Sequence, residues 1–589
     1  MKNIIKILVL SSLLTGCDDL FEPAIENNLG FEYMYENAGY AEGVLSNAYT
    51  RIPSASYSFN DVATDDAVSN DAANSYRKMV AGAWQSDNDP AERWRNCRAA
   101  IQYLNLFLAN ADKVHWANDE LAAKMYNDRL KGEAYGLRSM YMYYLLQAHG
   151  GWTADGKLLG VPIVTEPEEA STDFNYARAT FDECMKALYA DATKALELLP
   201  TDYGDLTSNS DIPSKYSNEG VNLTQYNRVF GIKFRGRISG RIVEAIRSQA
   251  ALLAASPAFS KGTTTTWQNA ADYAANVLDR INGVAGIDAD GGTWYSNKEI
   301  ESLGSGECPP EILWRGTKSS SNSLEQDNYP PSIYGKGRIN PTQNLVDAFP
   351  MLNGYPISDK DNRGGYTKDN PYANRDPRLA AYILYNGTKA GVNNKVITTA
   401  ADGTTNDALD KEEGYSTRTG YYMRKLLRQD INLDPTVNST QEHYQARIRY
   451  TEIFLNYAEA ANEAFGPTGK GSHAYSAYDV IKVIRSRAGI TGGDLYLESI
   501  KDDKDKMREL IRNERRLELC FEGFRFWDLR RWKANWNATA MGVSITGDAT
   551  KTYSPIEVDT RTYKDYMYYG PIPYSEILKF NALEQNQGW

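Results

Sequence analysis

The run GRISGRIVEAIRSQAALLAASPAF, residues 236–259, restricts the fold more than any other stretch of this 589-residue chain. Its larger apolar residues recur at three-to-four spacing. The alanines and serines between them leave a face with little bulk, so another helix must lie close against it. Pro257 marks a break, and WQNAADYAANVLDRI (267–281) follows with the same small-residue stripe. Far downstream, TEIFLNYAEAANEAFG (451–466) and AYDVIKVIRSRAG (477–489) repeat the pairing. Upstream, the spacing predicts helices over 32–49, 91–111, 118–149 and 181–199. The third is expected to break at Gly132 and to end at Gly150-Gly151, and the fourth to stop before Pro200.

Alternating helices of this length, with Gly or Pro at the joints, resemble tetratricopeptide hairpins, whose period is about 34 residues. Residues 285–440 are different: rich in Gly, Asn, Pro, Thr and Tyr, with short β-type runs EILWRG, LAAYILY and YYMRKLL. The expected architecture is mainly α, a tetratricopeptide-like helix-pair scaffold carrying an irregular, loop-rich insertion with short strands. Its expected parts are a signal peptide (1–16), a tether (17–30), an N-terminal helical part (31–284), the insertion (285–440) and a C-terminal hairpin with a signature segment (441–589). Loops held on a rigid scaffold are where binding residues tend to sit.

The N-terminus indicates an address. Lys2 and Lys6 flank the start of IIKILVLSSLL, an apolar run too short to span a bilayer, which reads as a secretory signal. It ends in Leu14-Thr15-Gly16-Cys17, which resembles a bacterial lipobox with Cys17 as the lipidated residue, and Asp18-Asp19 resembles a surface-export signal of Bacteroidetes lipoproteins. The expected location is the outer membrane, lipid-anchored and facing outward. A net charge of −12 argues against a nucleic-acid partner. Cys97, Cys184, Cys308 and Cys520 lie far apart and show no zinc spacing; Cys97 and Cys520 read as buried small hydrophobes. DADGG at Asp288 echoes a calcium loop, but Thr293 stands where glycine is needed, so it reads as a turn. No cofactor or metal is expected, and His115, His149, His443 and His473 form no triad with a serine.

RNERRLELCFEGFRFWDLRRW (512–532) packs six arginines, four acids and five aromatics into one segment. Taken as a helix beginning near Asp503, it puts Met507, Leu510, Ile511, Leu517, Phe521 and Phe524 on one face with Glu514 among them. A carboxylate there needs a partner, and nearby arginines would keep both Glu514 and Glu518 ionised, which spoils a general-acid role. The segment therefore reads as structural.

That segment is also similar to the C-terminal signature of the SusD-like (SusD/RagB) outer-membrane lipoproteins. DRLKGEAYGLRSMYMYYLLQAHGG with GVPIV, then NPTQNLVDAFPMLNGYPI, NRDPRLAAYILY, the last helix hairpin and YYGPIPYSEILKFNALEQNQGW extend the resemblance over nearly the whole chain. The resemblance implies capture of oligosaccharides at the cell surface, without catalysis, and delivery to a SusC-like TonB-dependent transporter. It also implies a binding platform built from an early loop and the insertion. The comparable residues are Asp65, Asp66, Arg77 and Trp84, then Trp294, Tyr295, Trp314, Tyr329, Tyr334 and Arg338. Aromatic faces stack on sugar rings, while Asp and Arg hydrogen-bond hydroxyls. Alternatives are peptide uptake of the RagB-like kind, and a surface glycoside hydrolase using Glu301, Glu307 or Glu311.

Overall fold

The computed structural model describes residues 32–53, 56–490 and 493–589; the signal sequence, Cys17 and the tether lie outside them. The longer helices are α1 (Ala38–Tyr49), α2 (Trp94–Asn110), α3 (Glu120–His149), α4 (Phe181–Leu198), α5 (Gly240–Ala255), α6 (Trp267–Leu278), α7 (Tyr450–Phe465), α8 (Ala477–Arg487), α9 (Lys504–Glu518) and α10 (Arg525–Trp532). They pack as tetratricopeptide-like pairs, α1 on α2, α3 on α4, α5 on α6 and α7 on α8. The alanine stripes sit at the contacts: Ala250, Ala251 and Ala254 of α5 and Ala270, Ala271, Ala274 and Ala275 of α6 are all buried. Local signals set the starts. Thr180 with Glu183 and Thr266 with Asn269 close reciprocal capping boxes, satisfying backbone N–H groups that the first helical turn leaves free.

Two glycines expected as punctuation behave differently from each other. Gly150 does end α3, but α3 runs unbroken through Gly132. A Cβ at Gly132 would lie 2.8 Å from Leu199 Cγ, so the missing side chain serves close packing against the end of α4 rather than a break.

Between α6 and α7 the chain is irregular and braced by short strands β1 (Ala67–Ser69), β2 (Ile312–Arg315), β3 (Ser319–Ser321), β4 (Ile339–Pro341), β5 (Gln441–His443) and β6 (Ala446–Arg449). All pair antiparallel: β1 with β4, β2 with β6, and β3 with β5. The β1–β4 ladder ties the early loop to the insertion. The β2–β6 and β3–β5 ladders pair residues 312–321 with residues 441–449, closing the irregular chain between them into a loop.

The arginine-rich segment is two helices, not one. After Glu518 the backbone turns through Phe521 (φ +64°) and Gly523 (φ +83°), and α10 starts afresh at Arg525, so Cys520 lies in the turn. The expected face is otherwise correct for α9, with Met507, Leu510, Ile511, Glu514 and Leu517 all buried.

Glu514 and Glu518 are the centre of a buried ionic network. Arg378 Nη1 donates to both, at 3.0 Å for Glu518, and its Nη2 holds Asp376 at 2.7 Å. Arg487 reaches Glu518 at 3.0 Å and Glu311 at 3.4 Å. Arg449 pairs with Glu311 and Glu522 at 2.8 Å each, and Lys425 joins Glu522 at 2.7 Å. Burial would raise the Glu518 carboxyl, but the cations Arg487, Arg378, Arg449 and Lys425 outweigh it and hold it down at about 2. Glu518 is therefore a carboxylate near neutral pH and cannot serve there as a proton donor.

A second set of charges fastens the early loop to the same segment. Arg525 grips Asp65 with two hydrogen bonds of 2.9 Å, Arg516 donates to Asp66 at 2.6 Å, and the Phe521 N–H donates to Asp61 Oδ1 at 3.0 Å. Arg561 caps the Thr64 carbonyl at 2.7 Å and the Tyr563 hydroxyl donates to the Ala63 carbonyl at 2.7 Å. Asp65 and Asp66 were expected at a ligand. The structure instead engages both in salt bridges, and both are buried.

Candidate functional site

The early loop and the insertion meet at a cleft of about 520 Å³, within the range of small-molecule sites. Tyr57 and Phe59 come from the early loop, Phe59 at φ +47°, with ring centroids 5.8 Å apart and planes 31° from parallel. Both residues are half-buried, and both line the cleft. The opposite rim is hydroxyl-rich. Strand alternation puts Ser319 and Ser321 of β3 on one face, Thr317 and Ser323 flank them, and all four line the cleft. Asp327, Gln445 and Arg447 add polar groups that can donate or accept directionally.

His443, paired across to β3 through β5, lies at the same wall. Its Nε2 faces Glu325 Oε1 at 3.1 Å and its Nδ1 faces the Gln441 carbonyl at 2.9 Å. Burial disfavours its charge, yet the Glu325 carboxylate more than offsets this and raises the imidazole above its ordinary value. Acceptors at both nitrogens fix the orientation of the ring and favour its doubly protonated form.

The sequence-expected site residues are dispersed. Trp294 and Tyr295 do line this cleft, but as its floor: they are 1% and 7% exposed, and Trp294 leans on Tyr444 at 5.5 Å. They brace the site instead of offering a stacking face. Trp84 is 2% exposed, enclosed by Phe526, Trp536, Tyr563 and Trp589, which makes it a core residue with no face for a ligand. Trp314 is also buried, its Nε1 donating to the Gly236 carbonyl at 2.9 Å and the Arg447 guanidinium 4.7 Å from its ring; it faces a different cleft. Tyr329 is buried too, its hydroxyl donating to the Arg428 carbonyl.

Tyr334 is 56% exposed at φ +69°, near Asp434 and away from the aromatic cleft. Arg338 is occupied by the Gly414 carbonyl at 2.9 Å, and Arg77 by the Asn70 carbonyl at 3.3 Å; neither lines the cleft. Sequence reasoning missed Tyr57, Phe59, the serine rim, His443 and Arg447. One signal was available: the alternating serines 319–323 sit in a β-capable polar run just after EILWRG.

The three carboxylates considered for hydrolysis do not line the cleft either. Glu311 is buried between Arg449 and Arg487, Glu301 pairs with Arg428 at 2.9 Å, and Glu307 accepts from the Gly304 N–H at 3.0 Å beside the Trp314 cleft. Among the described residues no cluster of His, Cys, Asp or Glu could hold a metal ion. The thiols of Cys97, Cys184, Cys308 and Cys520 are all free, and burial pushes those of Cys97 and Cys520 up to about 12.

Family models match both halves of the chain: the SusD family over residues 310–589, and one described as "Starch-binding associating with outer membrane" over residues 34–215. The chain belongs to the SusD-like family. A SusD-like protein of Formosa agariphila, P38, is 33% identical over 101 residues, which is 17% of this chain and 19% of that relative's own length. A SusD-like protein from Bacteroides fragilis superposes with a TM-score of 0.70 at 21% identity, covering 96% of this chain and all of the other. A SusD-like carbohydrate-binding protein from the same species gives a TM-score of 0.66 at 21% identity, covering 93% and 98%. At such identities the superpositions establish the fold of this SusD-like chain. Among the described residues, no helix of the SusD-like chain is long and apolar enough to cross a membrane.

Proposed function

We propose that the protein is a cell-surface glycan-binding lipoprotein that captures oligosaccharides in the Tyr57–Phe59 cleft and passes them to a SusC-like TonB-dependent transporter. The observation that carries this reading is the composition of the cleft in a member of this family: two half-buried aromatic residues opposite a rim of serine and threonine hydroxyls. Aromatic rings recognise the C–H faces of a sugar, and the rim exchanges hydrogen bonds with its hydroxyls. The lipobox-like Leu14–Cys17 supports the anchor, and the family description of outer-membrane association supports the address. The positions of Glu301, Glu307 and Glu311 favour binding without catalysis.

Calorimetry against a broad glycan panel tests the reading. At least one neutral oligosaccharide is expected to bind, and Tyr57→Ala is expected to weaken it about tenfold, ~1.4 kcal/mol. Retention of no glycan by the purified protein, or binding of peptides alone, would overturn it, and release of reducing sugar would restore the hydrolase alternative. Cys17→Ala is expected to leave the folded part intact while moving the protein from the membrane fraction to the soluble one. Unchanged surface retention in cell fractionation would sink the anchor.

A further inference from the structure

A second cleft, of about 660 Å³, is built from segments that contribute nothing to the first. Trp152, Tyr566, Lys261, Lys533, Asp565 and Gln587 line it. Trp152 is half-buried and fixed by its Nε1, which donates to the Ala258 carbonyl at 3.2 Å. Tyr566 is half-buried as well. The Gly588 backbone (φ +93°) passes so close that a Cβ there would stand 2.3 Å from its Cγ, and the Trp589 ring meets it edge-on at 5.2 Å. Both rings are thus immobilised by their neighbours while part of each remains open to the cleft.

Two exposed ammonium groups accompany these rings. Neither Lys261 nor Lys533 forms an ion pair among the described residues, and Lys533 is held at φ +52° with its Nζ 5.9 Å from the Tyr568 ring. Asp565 is exposed and forms no ion pair among the described residues, so the lysines outnumber the acid in this cleft, in a chain whose total charge is −12. The first cleft answers hydroxyls with hydroxyls; this one offers amines beside aromatic rings. An anionic substituent would gain charge-assisted hydrogen bonds here that a neutral sugar would not, and against the overall negative charge it needs such a local cationic place.

We propose that this cleft is a second saccharide site, selective for a sugar unit bearing a carboxylate or a sulfate, which stacks on Trp152 and Tyr566 and is held by Lys261 and Lys533. It goes beyond the reading of the first cleft and does not depend on it. The probes are a galacturonate tetramer, a chondroitin sulfate tetrasaccharide and neutral maltotetraose, titrated calorimetrically into the wild-type protein, Lys261→Glu/Lys533→Glu and Tyr57→Ala. At least one anionic probe is expected to bind the wild type more tightly than maltotetraose does. The double reversal is expected to weaken that binding about tenfold or more, and Tyr57→Ala to leave it unchanged.

The galacturonate tetramer carries carboxylates alone and the chondroitin sulfate probe carries both groups, so binding of the first shows that a carboxylate suffices and binding of the second alone shows that the sulfate is required. Both lysines are exposed and form no ion pair among the described residues, so the double variant is expected to keep its packing; Lys261→Gln/Lys533→Gln gives the same readout should the reversal unfold the chain. Failure of both anionic probes to bind, an unchanged affinity in the double variants, or a loss confined to Tyr57→Ala would overturn the proposal.

Discussion

Arg378→Met is expected to cost about 3–5 kcal/mol of stability, the range for stranding buried charges by removing one partner. Methionine is unbranched and replaces the aliphatic stem of the arginine, so the packing of the stem changes little. What changes is that Asp376, Glu514 and Glu518, all buried, lose the one guanidinium they share. Glu518 keeps Arg487, and Glu514 keeps Arg485 at 3.3 Å, but Asp376 has no other cation within salt-bridge distance among the described residues. Urea unfolding measures the effect. Lys124→Met, which removes a pair with Glu219 that is exposed on both sides, is the control and is expected to leave the midpoint nearly unchanged. Equal midpoints for the two variants would show that the network contributes nothing. Arg378→Lys is expected to fall between, because an ammonium supplies the charge without the planar fork that bridges three acids.

Asp61→Asn is expected to flatten the pH dependence of stability between about pH 4 and pH 7. Burial, with the Asp66 charge adding to it, raises the Asp61 carboxyl from 3.8 to about 7. The groups facing it are Asp66, Lys425, Tyr76 and Cys520, besides the Phe521 N–H that it accepts. A raised carboxyl binds its proton more tightly in the folded state than in the unfolded one. The stability it lends is therefore complete below about pH 4, falls as pH rises, and is gone once pH passes about 7. The amide that replaces the carboxyl imitates its protonated form and carries no such penalty. At pH 8 the variant is expected to be the more stable by on the order of 2 kcal/mol, and at pH 4 to match the parent.

Glu452, raised to about 7 chiefly by burial, has the same sign and remains in the variant, so the slope is reduced but not abolished. Glu518, held at about 2, acts in the opposite sense and only below about pH 4.5. Parallel stability curves for parent and variant would exclude a neutral Asp61.

The helices were legible because their signals are local: apolar spacing, capping residues and alanine stripes within one segment decide them. The break between α9 and α10 escaped notice, since a left-handed Phe521 is an unusual choice and only Gly523 hinted at it. The fate of each tryptophan was decided elsewhere in the chain. Trp84 sits in a polar stretch, yet Phe526, Trp536, Tyr563 and Trp589, hundreds of residues away, close over it. Asp65 and Asp66 were misread for the same reason: their partners, Arg516 and Arg525, lie about as far along the chain as it allows. The cleft itself depends on the β3–β5 ladder, whose register no single segment encodes.

Those long connections bear on how the molecule assembles. Asp66 and Arg516 are 450 residues apart in sequence, and Ala63 and Tyr563 are 500 apart. Contacts of that span are expected to form late, because closing so long a loop costs the most chain entropy. The early loop that supplies Tyr57 and Phe59 is among the first parts synthesised and, on this wiring, among the last to take its shape. A chain cut short before α10 would keep many of its helix pairs yet lack the Arg525 clamp on the early loop, so the shape of the candidate cleft reports completion of the whole fold in a way that helix content does not.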